Sequence, residues 1–214
     1  MTPTNPHPLR RVAALAALVV LAAVPGCNVV APAQDDPTRY FVLSDPPAQS
    51  VPSAPSSSAM RIGLKAVQLE NYLKRRDMVV STASNEVQFE DYRRWAEPLD
   101  VAIGRVLRTT LVASSGIGQV LMEPFPFDGQ RDYDVSVDVR SCEGTLVGGR
   151  YEASFSAVIE ISSVGAEPRV VARKLFVAPS AAWDGSDYGR LASLLSADVA
   201  ALGQEIASDL PARN

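Results

Sequence analysis

The chain has 214 residues, with 20 Lys+Arg against 24 Asp+Glu and a net charge of −4. That balance offers no basic stripe, which argues against nucleic acid as a partner. The only histidine is His7 and the only thiols are Cys27 and Cys142, so Ser-His-Asp triads, Cys-His pairs and most zinc sites are excluded and no enzymatic activity is expected.

Arg10-Arg11 precedes an apolar run, Val12 to Val24, of 13 residues, followed by Pro25, Gly26 and Cys27. A basic n-region, a short apolar core and a small-residue end predict a secretory signal peptide over 1–26. The run is too short for a lasting span, which needs about 20 residues. Val24-Pro25-Gly26-Cys27 resembles the bacterial lipobox, with Pro25 departing from the pattern. The resemblance implies cleavage before Cys27 and acylation of its thiol and its new amino group, the only non-protein groups expected. Two or more acyl chains anchor stably where one does so only marginally. The leader removes two arginines and no acid, so the remaining 188 residues carry 18 minus 24, or −6. Such a surface is not expected to seek anionic lipid, so attachment to the membrane rests on the anchor. Asn28 after the cysteine resembles the outer-membrane class of lipoproteins more than the retained, Asp-bearing class.

Residues 27–37 form the lipidated tether and 38–211 one domain with a core of its own. Arg39 to Ser44 is a strand candidate. Residues 45–59, with four prolines and five serines, form a loop. Met60 to Leu69 alternates as one half-buried strand. Met78–Val80 and Glu86–Phe89 are short extended pieces around Ser84-Asn85. After Pro98, the residues Leu99, Ile103, Val106, Leu107, Thr110 and Leu111 recur at helical spacing, and the helix ends near Ser114. Gln119–Glu123 is a short strand, expected to join Met60–Leu69 through a right-handed crossover.

An antiparallel meander follows, with strands from Tyr133, from Tyr151 and over 169–177. Gly144, Gly148 and Gly149 turn the first pair, and Gly165 with Pro168 the second. Cys142 reads as a buried small hydrophobe, yet strict alternation puts it on the polar face unless a bulge near Arg140 intervenes. Asp184-Gly-Ser186 opens a last helix with an apolar stripe from Tyr188 to Leu210. The fold class is therefore α/β (α+β), one mixed, largely antiparallel sheet carrying two amphipathic helices.

Val67 to Arg75 and Ser84 to Leu99 resemble the PqiC family, auxiliary lipoproteins of ABC-type intermembrane transport. The specific blocks are Asn85-Glu86 and Arg94-Trp95-Ala96-Glu97-Pro98-Leu99. The chain departs from the family at Glu70, Lys74 and Arg76, within the Tyr-Leu segment. The resemblance implies a periplasmic domain on the outer membrane, beside an MCE-domain protein that spans the periplasm and a permease with its ATPase. The cargo it implies is phospholipid or another hydrophobic molecule, and homo-oligomers are left open. Asn85, Glu86, Arg94, Trp95, Glu97 and Pro98 then serve as architecture or as partner contacts. A competing reading is a periplasmic lipid-binding carrier, with acyl chains held between helices and sheet.

Overall fold

The computed structural model describes residues 35–46, 59–83, 85–127 and 129–211. The signal peptide, Cys27, most of the tether and most of the Pro/Ser loop lie outside those residues. The fold occupies the compact unit Pro37–Asn214. Among the described residues ten strands run as β1 (Arg39–Phe41), β2 (Met60–Leu64), β3 (Gln68–Leu69), β4 (Asp77–Ala83), β5 (Glu86–Trp95), β6 (Ile117–Met122), β7 (Tyr133–Val147), β8 (Arg150–Ser163), β9 (Val170–Val177) and β10 (Ala181–Trp183). Helix α1 is Leu99–Ala113 and α2 is Tyr188–Asp209.

The long strand β7 is the axis of the sheet. On one edge it meets β2, β3 and β4 in turn, all in parallel; on the other it pairs antiparallel with β8 along most of its length. β8 then carries β9 and β10, and β4 leads through the β4–β5 hairpin to β1. The long ladders are antiparallel and the short joins parallel, giving the mixed sheet expected. β2 and β6 pair in parallel, with α1 between them in the chain.

Both helices bury the stripes read from their spacing. Leu99, Ile103, Val106, Leu107, Thr110 and Leu111 of α1 are buried, as are Tyr188, Leu191, Leu195, Val199, Leu202 and Ile206 of α2. The partners of those stripes are Val135, Val137, Val139, Phe155, Ile159 and Ile161, the apolar alternate set of β7 and β8. Pro98 stands at the N-cap of α1, and the Asp187 carboxylate accepts the Arg190 N–H to cap α2.

Cys142 is buried, and the pairing explains why. Val139 faces Ala157 and Ser141 faces Ser156, so Arg140 is one extra residue on β7. The bulge turns the strand over, and Cys142 falls on the core side despite its odd count.

Four readings need correction. Met60–Leu69 is two strands: the Lys65 N–H still bonds Val135 O on β7 (2.9 Å), but the Ala66 N–H leaves the ladder for Glu123 Oε2 (2.9 Å). The pieces at 78–80 and 86–89 are parts of a longer hairpin whose second strand reaches Trp95. Gly144 does not turn the first meander pair; Gly148 and Gly149 do so with positive φ. Gly144 lies within β7 under the Trp183 ring, where a Cβ would approach that ring to 2.8 Å. β10, which brings Trp183 there, has no counterpart among the predicted elements.

Candidate functional site

β5 ends at Trp95 and α1 begins four residues later, so the motif block 94–98 forms the corner where strand becomes helix. Trp95 is 3% exposed. Its N–H donates to Arg76 O (2.7 Å), and the next N–H, of Ala96, donates to Phe41 O (2.8 Å). Phe41 is the register partner of Trp95, which ties β1 to the corner. Arg94 turns outward and its Nε lies 3.4 Å from Asp77 Oδ1.

Arg105 of α1 gathers the remaining groups. Its guanidinium donates to Glu97 Oε1 (2.7 Å) and Leu43 O (2.7 Å) and pairs with Asp45 Oδ2 (2.8 Å). The Glu97 bond, chiefly, holds the guanidinium still further above its ordinary pKa. The pairs are partly wetted, so each contributes well under about 1 kcal/mol. Their effect is geometric: the segment after β1, the motif and α1 are bound at one point.

Asn85 and Glu86 are not part of this corner. They sit exposed at the β4–β5 turn, nine residues back along β5, a separation of at most about 30 Å. The six motif residues thus divide into a strand-to-helix corner built around the buried Trp95 and an exposed hairpin tip. Ser84 lies outside the described residues.

Other polar features were not anticipated. Glu143 is 6% exposed. Its Oε1 accepts the Ser81 hydroxyl, while its Oε2 has no hydrogen-bond partner among the described residues. Burial first, then Glu143, pushes the Tyr72 hydroxyl well up. Burial likewise pushes the Cys142 thiol up, which makes it a poor nucleophile. Asp134 and Asp138 are each held in an ion pair, with Arg131 (2.7 Å) and Arg140 (2.7 Å). Among the described residues no group of three His, Cys, Asp or Glu could hold a metal, and no helix is long and apolar enough to cross a membrane.

Asp198 on α2 makes a pH-dependent element of stability. Its Oδ2 is buried with no hydrogen-bond partner among the described residues, and burial pushes its pKa up to about 6. A carboxyl raised in the native state favours folding while protonated. That contribution is complete below the ordinary carboxylate pKa and is lost as pH rises through about 6. Asp198→Asn is therefore expected to stabilise the domain at pH 8 by about 1 kcal/mol, less than the full shift because water still reaches the group. The gap between variant and parent in urea unfolding should close below about pH 4. A gap that is constant with pH would assign the effect to packing.

Two open clefts mark the surface. One, of about 560 Å³, lies along β6 and is lined by Arg108, Val112, Leu121 and Met122. The other, of about 480 Å³, lies between Arg39, Phe41, Arg93 and Tyr188.

Comparison with known proteins gives the same architecture. A crystal structure of a Xanthomonas campestris protein of the DUF330 family superposes with a TM-score of 0.65 at 15% identity, over 79% of this chain and 93% of that one. An uncharacterised protein superposes at 0.64 and 17% identity, over 81% and 99%. A PelC dodecamer from Paraburkholderia phytofirmans matches more loosely, at 0.44 and 16% identity over 75% and 96%. No curated protein matches the chain significantly. The family profile described as ABC-type transport auxiliary lipoprotein component matches residues 41–207, well over half of the sequence. The strand-to-helix corner around Trp95 and the mixed sheet that carries it lie within the matched residues, and the chain belongs to the family of ABC-type transport auxiliary lipoprotein components.

Proposed function

We propose that the protein is an outer-membrane-anchored auxiliary lipoprotein of an MCE-type intermembrane lipid transport system. It docks or supports the conduit on the periplasmic side and carries no cargo itself. The observation behind this reading is the filled layer between helices and sheet. Ile103, Leu107, Leu195, Val199 and Leu202 meet Val137, Phe155 and Ile159 there, each 0–1% exposed. An acyl chain held in that layer would have to displace the core, so the function falls to the surface. The family supports the link to ABC-type transport. Cys27 is the acylated residue, and the exposed Asn85–Glu86 tip is the family motif free to meet a partner.

The test uses the full chain in its own envelope. Gentle extraction should recover the protein with an MCE-domain protein, its permease and its ATPase. Cys27→Ser should abolish acylation and remove the mature chain from the outer membrane. Recovery without any MCE-domain protein would overturn the proposed partner. Stoichiometric phospholipid in native mass spectra of the purified protein would favour the carrier reading instead.

A further inference from the structure

The negative net charge conceals a basic corner. Arg39, Lys74, Arg75, Arg76, Arg93 and Arg94 are gathered where β1, the end of β5 and the start of β4 lie side by side. The register sets Arg39 against Arg93, Tyr40 against Arg94, and Asp77 against Arg94. Four acids share the corner: Asp77, bound to Arg75 (3.0 Å) and Arg94 (3.4 Å), Glu90 and Asp91 of β5, and Asp187 in the adjoining cleft. Six bases less four acids leave +2. The chain from Cys27 onward carries −6, so everything else carries −8. Arg39 and Arg76 are exposed and have no ion pair among the described residues. Arg93 lies over the Tyr188 ring at 5.7 Å, at the mouth of the 480 Å³ cleft. The Asp187 carboxylate in that cleft is committed to capping α2. Tyr40 and Tyr92, 58% and 52% exposed, share the Arg94 side of this sheet edge, with Arg39 and Arg93 on its other side.

The corner is also where the chain enters the fold. Arg39 is twelve residues after Cys27, a length of chain reaching at most about 40 Å. Taking Cys27 as the acylated residue, as in the function proposed above, the basic corner is the part of the fold on the shortest leash from the bilayer. Guanidinium groups bind phosphate in paired hydrogen bonds, and tyrosine settles at the level of lipid headgroups.

We propose that this corner is a membrane-docking face that binds a bilayer containing anionic phospholipid and orients the domain on its anchor. The β4–β5 tip, at the other end of the same hairpin, then points away from the lipid.

The test separates this face from the anchor. The chain from residue 27 onward, carrying Cys27→Ser, is sedimented with vesicles of phosphatidylcholine alone and of phosphatidylcholine with phosphatidylglycerol. Binding is expected only to the anionic vesicles and should fall steeply with salt. Each basic residue near such a surface is worth about fivefold, so the triple change of Arg39, Arg76 and Arg93 to Ser should weaken partition about 100-fold. If that triple fails to fold, Arg39→Ser with Arg76→Ser should still cost about 25-fold. Serine at Arg108, Arg150 and Arg169, the same loss of charge elsewhere, should have far less effect. No binding to anionic vesicles, or equal loss in the two triples, overturns the proposal. Fractionation of the unaltered chain reports on the anchor separately, so a soluble wild type with intact vesicle binding would fault Cys27 and not this face.

Discussion

Trp95→Ala is expected to lower the thermal midpoint of the domain by about 10 °C. The indole is 3% exposed and belongs to the core cluster. Its backbone N–H stays bonded to Arg76 O in the variant, so the loss is one of side-chain volume. Emptying a buried tryptophan site costs about 3–5 kcal/mol, cavity included. In a domain of this size each kcal/mol moves the midpoint by about 2–4 °C. Calorimetry on the purified protein provides the measurement. A recognition role predicts the opposite pattern, an unchanged midpoint with weakened binding to the proposed MCE-domain partner. A ring this deeply enclosed has little surface with which to recognise anything.

Gly203→Ala should cost about 1–3 kcal/mol, although alanine is the better helix former by about 1 kcal/mol. Gly203 lies where α2 crosses α1, and a Cβ there would stand 2.8 Å from both Cβ and Cγ2 of Thr110. Thr110 cannot easily turn aside, because its hydroxyl donates to Val106 O at 2.9 Å. The helices would have to separate. Gly104 provides the contrast. A Cβ there meets only the flexible end of Met122 at 3.4 Å and Val67 at 3.9 Å, so Gly104→Ala should be neutral or stabilising by up to about 1 kcal/mol. Urea titration of both variants reads the two signs. A destabilised Gly104 variant beside an unaffected Gly203 variant would refute the close crossing.

The two helices were legible because each needs only its own residues to declare a face. A stripe at Tyr188, Leu191 and Leu195 announces burial whatever lies opposite. The sheet was legible in its long members for the same reason, since alternation over β8 is internal to β8. What escaped depended on distant partners. Ala181–Trp183 is too short to show a period and becomes a strand only by lying against Tyr151–Ala153. Gly144 resembles a turn residue until Trp183 is seen above it. Arg105 reads as one more polar residue on α1, and its role as a clamp depends on Asp45 and Leu43, about sixty residues earlier. The motif was legible as a list of residues and not as a shape. Nothing in its spacing says that β5 runs unbroken between Glu86 and Trp95 and holds its two halves apart.

The extra residue at Arg140 gives β7 a reading frame. Upstream of it one parity faces the helices, and downstream the other does. Changing Arg140 to another residue sacrifices two surface ion pairs, with Glu70 and Asp138, and leaves the frame intact. Deleting it shifts the phase of every later position, turning Cys142 and Gly144 out and Glu143 in toward the helices. Over this stretch the chain tolerates a change of letter far better than a change of count. Relatives of this protein should therefore vary freely in what stands at that position while keeping something there.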